Sequence, residues 1–246
     1  MSDDRAFGPD VSIWDDIQST PQKVEMAKAK AMGASFVIIK AAQACYADLD
    51  FVWNWADAKN DGLLRASFDF LVWDQDPNKQ ADFYCQMHEK DPAELGLWAD
   101  FEWWKTIPAN ALNILDAFLT RCDQNTGKTT GIYTAPAFWA QYGSLDPRWA
   151  KRPLWIANWG PTSPAVPAPW GKNDWVFWQF SATEDGIAYG CESKAVDMNR
   201  FNGTVAQLYA RANKPIPTAP VVATPGYSAR LMSIAAEITA LAGEMK

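Results

Sequence analysis

Leu95-Gly-Leu-Trp-Ala-Asp-Phe-Glu-Trp103 is the stretch whose reading decides the fold of this 246-residue chain. An apolar run of this length, opened by glycine and closed by acids, reads as a buried strand. Side chains on a strand alternate faces, so residues i and i+2 share one. Leu97, Ala99 and Phe101 then face one side, and Trp98, Asp100 and Glu102 the other. Two carboxyls a strand repeat apart, roughly 6–7 Å, cannot both ionise freely in a desolvated pocket. One keeps its proton while the other stays charged, which is the pair that acid-catalysed hydrolysis uses. The competing reading is an exposed edge strand with solvated acids, and the following Trp103-Trp104 speaks against it.

Similar runs recur on both sides of this one. They are Asp10–Trp14, Phe36–Lys40, Leu64–Val72, Gly131–Thr134, Leu154–Asn158, Trp175–Phe180 and a short Ala195–Asp197. The early ones alternate with helix-like segments. Pro21–Met32 has Thr20 as N-cap and Gly33 as its stop, and Asp48–Asn60, Lys79–Lys90 and Ala109–Cys122 follow. After Thr134 the joining segments are rich in Pro, Gly and Trp and carry little helical periodicity. Five strand–helix units followed by three loop-joined strands predict an α/β fold, an irregular TIM-like (β/α)5β3 barrel. In such barrels the chemistry gathers at the C-terminal strand ends. Lys40, Asp100 with Glu102, Asn158 and Gln179 occupy those ends, whereas Asp10 opens its run and is less securely at the rim.

The barrel is expected to span residues 1–212, with a Pro-rich linker over 213–227 and an amphipathic helix over 228–246. In that tail Leu231, Ile234, Ile238, Leu241 and Met245 repeat at 3-4-3-4 spacing. It either packs on its own barrel or mediates self-association or assembly.

A net charge of −7 offers no basic stripe for nucleic acid. Fourteen tryptophans fit a large core together with flat surfaces on which sugar rings stack. The four cysteines, Cys45, Cys85, Cys122 and Cys191, form no C-x-x-C pair, and His88 is the sole histidine. A structural zinc site or a histidine-driven nucleophile is therefore not expected. His88 lies in the charged run Gln86–Lys90 and reads as a surface residue. No run reaches transmembrane length, and Met1–Ala6 lacks the features of a signal peptide. The expectation is cytoplasmic synthesis with reduced thiols.

Seven motifs in order carry a resemblance to a known family. They are Gly8-Pro-Asp-Val-Ser-Ile-Trp14, Phe36-Val-Ile-Ile-Lys-Ala41, Asp100-Phe-Glu102, Gly131-Ile-Tyr-Thr134, Leu154-Trp-Ile-Ala-Asn-Trp-Gly160, Trp178-Gln-Phe-Ser181 and Val196-Asp-Met-Asn-Arg-Phe-Asn-Gly203. Together, over about residues 7–210, they resemble glycoside hydrolase family 25, the Chalaropsis-type lysozymes of bacteria, fungi and phages. The resemblance implies cleavage of the β-1,4 bond between N-acetylmuramic acid and N-acetylglucosamine in peptidoglycan, with no cofactor or metal. It places the acidic cluster on Asp10, Asp100, Glu102 and Asp197. Glu102 is the implied general acid. Asp100 either stabilises the oxocarbenium or orients the substrate's 2-acetamido group, and Asp10 and Asp197 hold water or tune Glu102. Lys40, Tyr133, Trp155, Asn158 and Gln179 are the implied sugar contacts.

Two stretches depart from the family pattern. Gln43 stands where a carboxylate is common, and Phe68-Asp69-Phe70 replaces Tyr-His-Phe, losing a phenol and adding an acid near the cleft. The leading expectation is a phage-type lysin, released by a holin or carried in a virion, that acts on bacterial cell-wall glycan strands. The alternative is a catalytically weakened glycan-binding or virion structural barrel.

Overall fold

A computed structural model describes residues 4–16 and 24–217. Among the described residues nine strands build one sheet: β1 (Arg5–Val11), β2 (Phe36–Gln43), β3 (Tyr46–Ala47), β4 (Leu64–Phe70), β5 (Leu97–Asp100), β6 (Gly131–Thr134), β7 (Leu154–Ala157), β8 (Phe177–Asp185) and β9 (Ala195–Thr204). Its order is β1-β9-β8-β7-β6-β5-β4-β2-β3, and an additional β1–β2 pairing closes eight of the strands into a barrel. β1, β2 and β4 to β8 run parallel where they pair, whereas β9 is antiparallel to both β8 and β1. Helices α1 (Met26–Ala31), α2 (Phe51–Asn60), α3 (Pro77–Gln86), α4 (Ala111–Thr126), α5 (Pro136–Tyr142) and α6 (Val205–Arg211) complete the fold.

The period-two reading of β5 holds. Trp98 packs in the apolar group with Phe36, Ile38, Phe68, Trp155 and Phe177. Ala99 and Phe101 join the other group, with Val37, Ile39, Leu115 and Phe118. The first fills the barrel; the second lies between strands and helices. Trp98 meets Phe177 at 5.4 Å and Trp155 at 6.2 Å between ring centroids. Gly131 is its register partner across β5–β6. A Cβ there would lie 2.3 Å from the Trp98 ring. Gly131→Ala is therefore expected to destabilise the barrel by about 1–3 kcal/mol through overpacking, measured by denaturant unfolding. Unchanged stability would show that Trp98 can move.

Several expectations are corrected. The first strand ends at Val11, and Ile13–Asp15 is a 3-10 turn closed by a Ser12–Asp15 capping box. Asp10 therefore lies next to the end of β1, on the rim, rather than at the start of its run. The short Ala195–Asp197 run is the beginning of a ten-residue strand hairpinned with β8, because Met198 and Phe201 continue its buried positions. The stretch after Thr134 holds a helix, α5, which starts at Pro136 and is too short to show periodicity. His88 is not a surface residue: it is 5% exposed, past the end of α3, with Nε2 2.9 Å from Ser67 Oγ. Its ring meets Phe51, Trp55 and Tyr84 edge-on. Burial first, and Arg65 second, push its pKa down to about 4, so the imidazole is neutral. Eight tryptophans are buried, and Trp14, Trp53, Trp103 and Trp159 are exposed.

The described residues up to Lys214 form one compact unit. The proposed Thr20 cap with Pro21, the linker beyond residue 217 and the helix over 228–246 lie outside the described residues. Among the described residues no helix is long and apolar enough to cross a membrane.

Candidate active site

The parallel strands deliver Asp10 from β1, Lys40 from β2, Asp100 from β5, Tyr133 from β6, Trp155 from β7 and Gln179 from β8 to one end of the barrel. β9 runs the other way, so Asp197, near its start, reaches the same rim opposite Asp10. Glu102 follows β5 by two residues, on the same face as Asp100. These side chains line a cavity of about 430 Å³, joined by Ser12, Trp14, Asp15, Phe68, Phe70, Ser193 and Ala195. A neighbouring cavity of about 360 Å³ shares Trp14 and Lys40 with it. A larger cavity, about 1180 Å³, lies among the segments that enter β5 and β6, at the other end of the barrel. It holds none of these acids, so size alone does not mark the site.

Gln179 is the hub. Its Nε2 donates to Asp10 Oδ2 at 2.9 Å and to Asp197 Oδ2 at 3.1 Å. Its Oε1 accepts from Tyr133 OH and from Trp159 Nε1, each at 3.1 Å. Asn199, two residues beyond Asp197 and thus on its face, donates to Asp10 Oδ2 at 2.7 Å and accepts from Trp155 Nε1 at 2.8 Å. Lys40 Nζ donates to Gln43 Oε1 at 3.1 Å and lies 5.2 Å from the centre of the Phe70 ring. The departure at Gln43 thus supplies an acceptor for Lys40.

Burial is the first cause of every raised carboxyl here. Glu102 is pushed up to about 7 by burial and then by the charge of Asp197, with Lys40 opposing. Asp197 rises to about 6 by burial and then Asp15, and Asp15 itself to about 6. Asp10 and Asp100 are held well above the carboxylate range, Asp100 by burial and then Glu102. Asp100 Oδ1 is buried with no hydrogen-bond partner among the described residues. A cluster of this kind keeps protons near neutral pH, and Glu102, half-buried at its mouth, is placed to give one away.

Raised folded-state values also fix the sign of the pH dependence. The folded barrel binds these protons more tightly than the unfolded chain does. The resulting stability is therefore present below the ordinary carboxyl values and is lost as pH rises through about 6 to 7. His88 acts the other way between its ordinary value and about 4, but it is one group against several. Tm is expected to be lower at about pH 8 than at about pH 5, measured by calorimetry. A higher Tm at the alkaline value would contradict the protonated cluster.

Of the sequence-based candidates, Asn158 is the one not brought to the cavity: its Oδ1 accepts from the Ala165 amide at 2.7 Å, which ties down its own loop. Asp69 does not line the cavity either. It is fully buried, and both of its oxygens lack hydrogen-bond partners among the described residues. Phe68 and Phe70 occupy the cavity face of β4, and Asp69, between them, takes the other. Sequence reading missed Asp15 and Asn199. The Ser12-x-x-Asp15 spacing and the i+2 relation of Asn199 to Asp197 were the available signals.

A closed eight-stranded α/β barrel with paired carboxyls at the rim, one of them with its pKa raised to about 7, has the groups that acid-catalysed hydrolysis of a glycoside uses. The family model for Glycosyl hydrolases family 25 matches residues 9–187. Lysozyme M1 of Streptomyces globisporus is 31% identical over 240 residues, covering 86% of this chain and 76% of that protein. The bacterial lysozyme of Streptomyces coelicolor superposes with a TM-score of 0.72 at 28% identity, over 85% of this chain and 97% of that one. The muramidase of Trichobolus zukalii gives 0.69 at 28%, over 84% and 98%. The chain belongs to glycoside hydrolase family 25.

Proposed function

We propose that the chain is an N-acetylmuramidase that cleaves the β-1,4 bond between N-acetylmuramic acid and N-acetylglucosamine in peptidoglycan. Hydrolysis of peptidoglycan is the activity its family supports. The observation that carries the finer reading is the pairing of Glu102, its pKa raised to about 7 by burial, with buried Asp100 in a cavity at the barrel rim. Glu102 gives its proton to the glycosidic oxygen as the bond breaks. Asp100, on the same strand face, acts on the oxocarbenium or orients the 2-acetamido group. Asp197 adds the negative charge that helps hold the Glu102 proton, and Asp10 shares the Gln179 amide with it. Tyr133, Trp155 and Lys40 line the cavity for sugar contact. Mass spectrometry of digested peptidoglycan tests the bond: new N-acetylmuramic acid reducing ends support the proposal, and N-acetylglucosamine reducing ends or intact glycan overturn it.

All these residues lie within 1–214, so a protein truncated after Lys214 is expected to fold and to cleave soluble glycan fragments at near-parent rates. An insoluble or inactive truncation would make the tail part of the barrel. We extend the proposal to a phage-type lysin. Cytoplasmic expression should then leave a culture intact until a holin is co-expressed, and lysis without one would argue against that route.

A further inference from the structure

The carboxamide of Gln179 has no capacity left for a sugar. A primary amide offers two N–H donors and two acceptor lone pairs. Here the donors go to Asp10 and Asp197, and the oxygen takes Tyr133 and Trp159. An indole N–H can only donate, so the atom facing Trp159 is the oxygen and the NH2 faces the acids. Asn199 repeats the arrangement, with Trp155 on its oxygen and Asp10 on its nitrogen. We propose that Gln179 is a positioning residue of the hydrolytic centre rather than a sugar contact: oriented by the Trp159 indole, it clamps Asp10 and Asp197 into one geometry. The inference rests on the muramidase reading for its assay substrate.

The clamp has an electrostatic consequence. Asp10 is buried beside Asp197 and Asp15, and the amide donors of Gln179 and Asn199 are what oppose its protonation. Tyr133 from β6, Lys40 from β2, and Asp100 and Glu102 from β5 and its end face the same space. Deleting the Gln179 donors leaves Asn199 alone to favour the charged form of Asp10. The Asp10–Asp197 pair then takes up its proton at higher pH. Trp159, 58% exposed although its N–H is used, is the external end of the clamp.

The test is kcat and KM against pH, on soluble peptidoglycan fragments, for the parent, Gln179→Leu and Trp159→Phe. The clamp serves the ionised form of the Asp10–Asp197 pair, and the acidic limb of kcat reports that ionisation. In Gln179→Leu this limb should move up by about one pH unit, the worth of a hydrogen bond to a charged group. KM should stay within about twofold of the parent, because no ground-state contact is lost. Trp159→Phe keeps a ring but deletes the N–H, and should move the limb the same way by less. A KM rise of about tenfold with the limb in place would make Gln179 a sugar contact and overturn the proposal. A lower kcat with an unmoved limb would reduce Gln179 to packing and overturn it too. If Gln179→Leu does not fold, the limb of Trp159→Phe decides. A parent that cleaves nothing would defeat the muramidase reading alone. Carboxyl titration by NMR in the parent and Trp159→Phe then tests the clamp, an unmoved Asp10 or Asp197 midpoint overturning it.

Discussion

Glu102→Gln is expected to lower kcat/KM on peptidoglycan by about 10²–10⁴-fold, the usual contribution of a general acid. The amide fills the same volume but has no proton to give to the leaving oxygen. None of the neighbours replaces it: Asp10 and Asp197 are committed to Gln179, and Asp100 lies deeper, with Oδ1 buried. The same variant should unfold at a higher temperature than the parent at about pH 8. There the parent must ionise a buried carboxyl beside Asp197, and glutamine need not. Opposite movements of activity and Tm would mark Glu102 as a site whose charge is held at the expense of stability. Asp100→Asn should be similarly impaired in kcat, and Asp10→Asn and Asp197→Asn less so. Turbidity loss and calorimetry on the same preparations check both halves. Near-parent lysis by Glu102→Gln would remove it from the role of acid.

Much of this site was legible because the barrel repeats one rule. Each strand alternates faces, and a polar residue at its C-terminal end on the inner face arrives at the rim. Asp100 and Lys40 follow that rule, Gln179 follows it where the parallel pairing of β8 with β7 ends, and the motif order fixed which strands were neighbours. It fails where the backbone leaves the rule. Asp10 looked misplaced because Ser12 and Asp15 turn the chain in a way that imitates two more strand residues. β9 looked short because its later half is polar outside and apolar inside, with Asn199 buried as a partner of Asp10 rather than as a hydrophobe. His88 sits among charged neighbours in sequence, yet Ser67, Phe51 and Trp55 enclose it from other elements. Pairings between residues far apart along the chain leave no local pattern to read.

Arg65→Met is expected to destabilise the fold by about 3 kcal/mol, the lower end of the range for removing one partner of a buried ion pair. Arg65 is fully buried on β4, away from the carboxyl rim. Its guanidinium bonds Asp91 at 2.7 and 3.1 Å and Glu94 at 2.7 and 3.0 Å, and lies 4.2 Å from the centre of the Trp55 ring. Glu94 also accepts from the Arg65 backbone amide, so the cluster fixes the segment leading into β5. Methionine fills part of the volume but leaves two carboxylates facing apolar wall. Both are partly exposed, at 34% and 13%, and water can recover some of the loss, hence the lower end. A drop in Tm of about 6–12 °C should accompany it. Arg148, paired with Asp116 at 3.0 Å but half exposed, is the control. Its removal should cost less than about 1 kcal/mol, as solvent-screened pairs do. Because β5 carries Asp100, loosening its entry should also lower kcat without moving the acidic limb of the pH profile. A stability loss equal to that of the Arg148 variant would show that the buried cluster is no stronger than a surface pair.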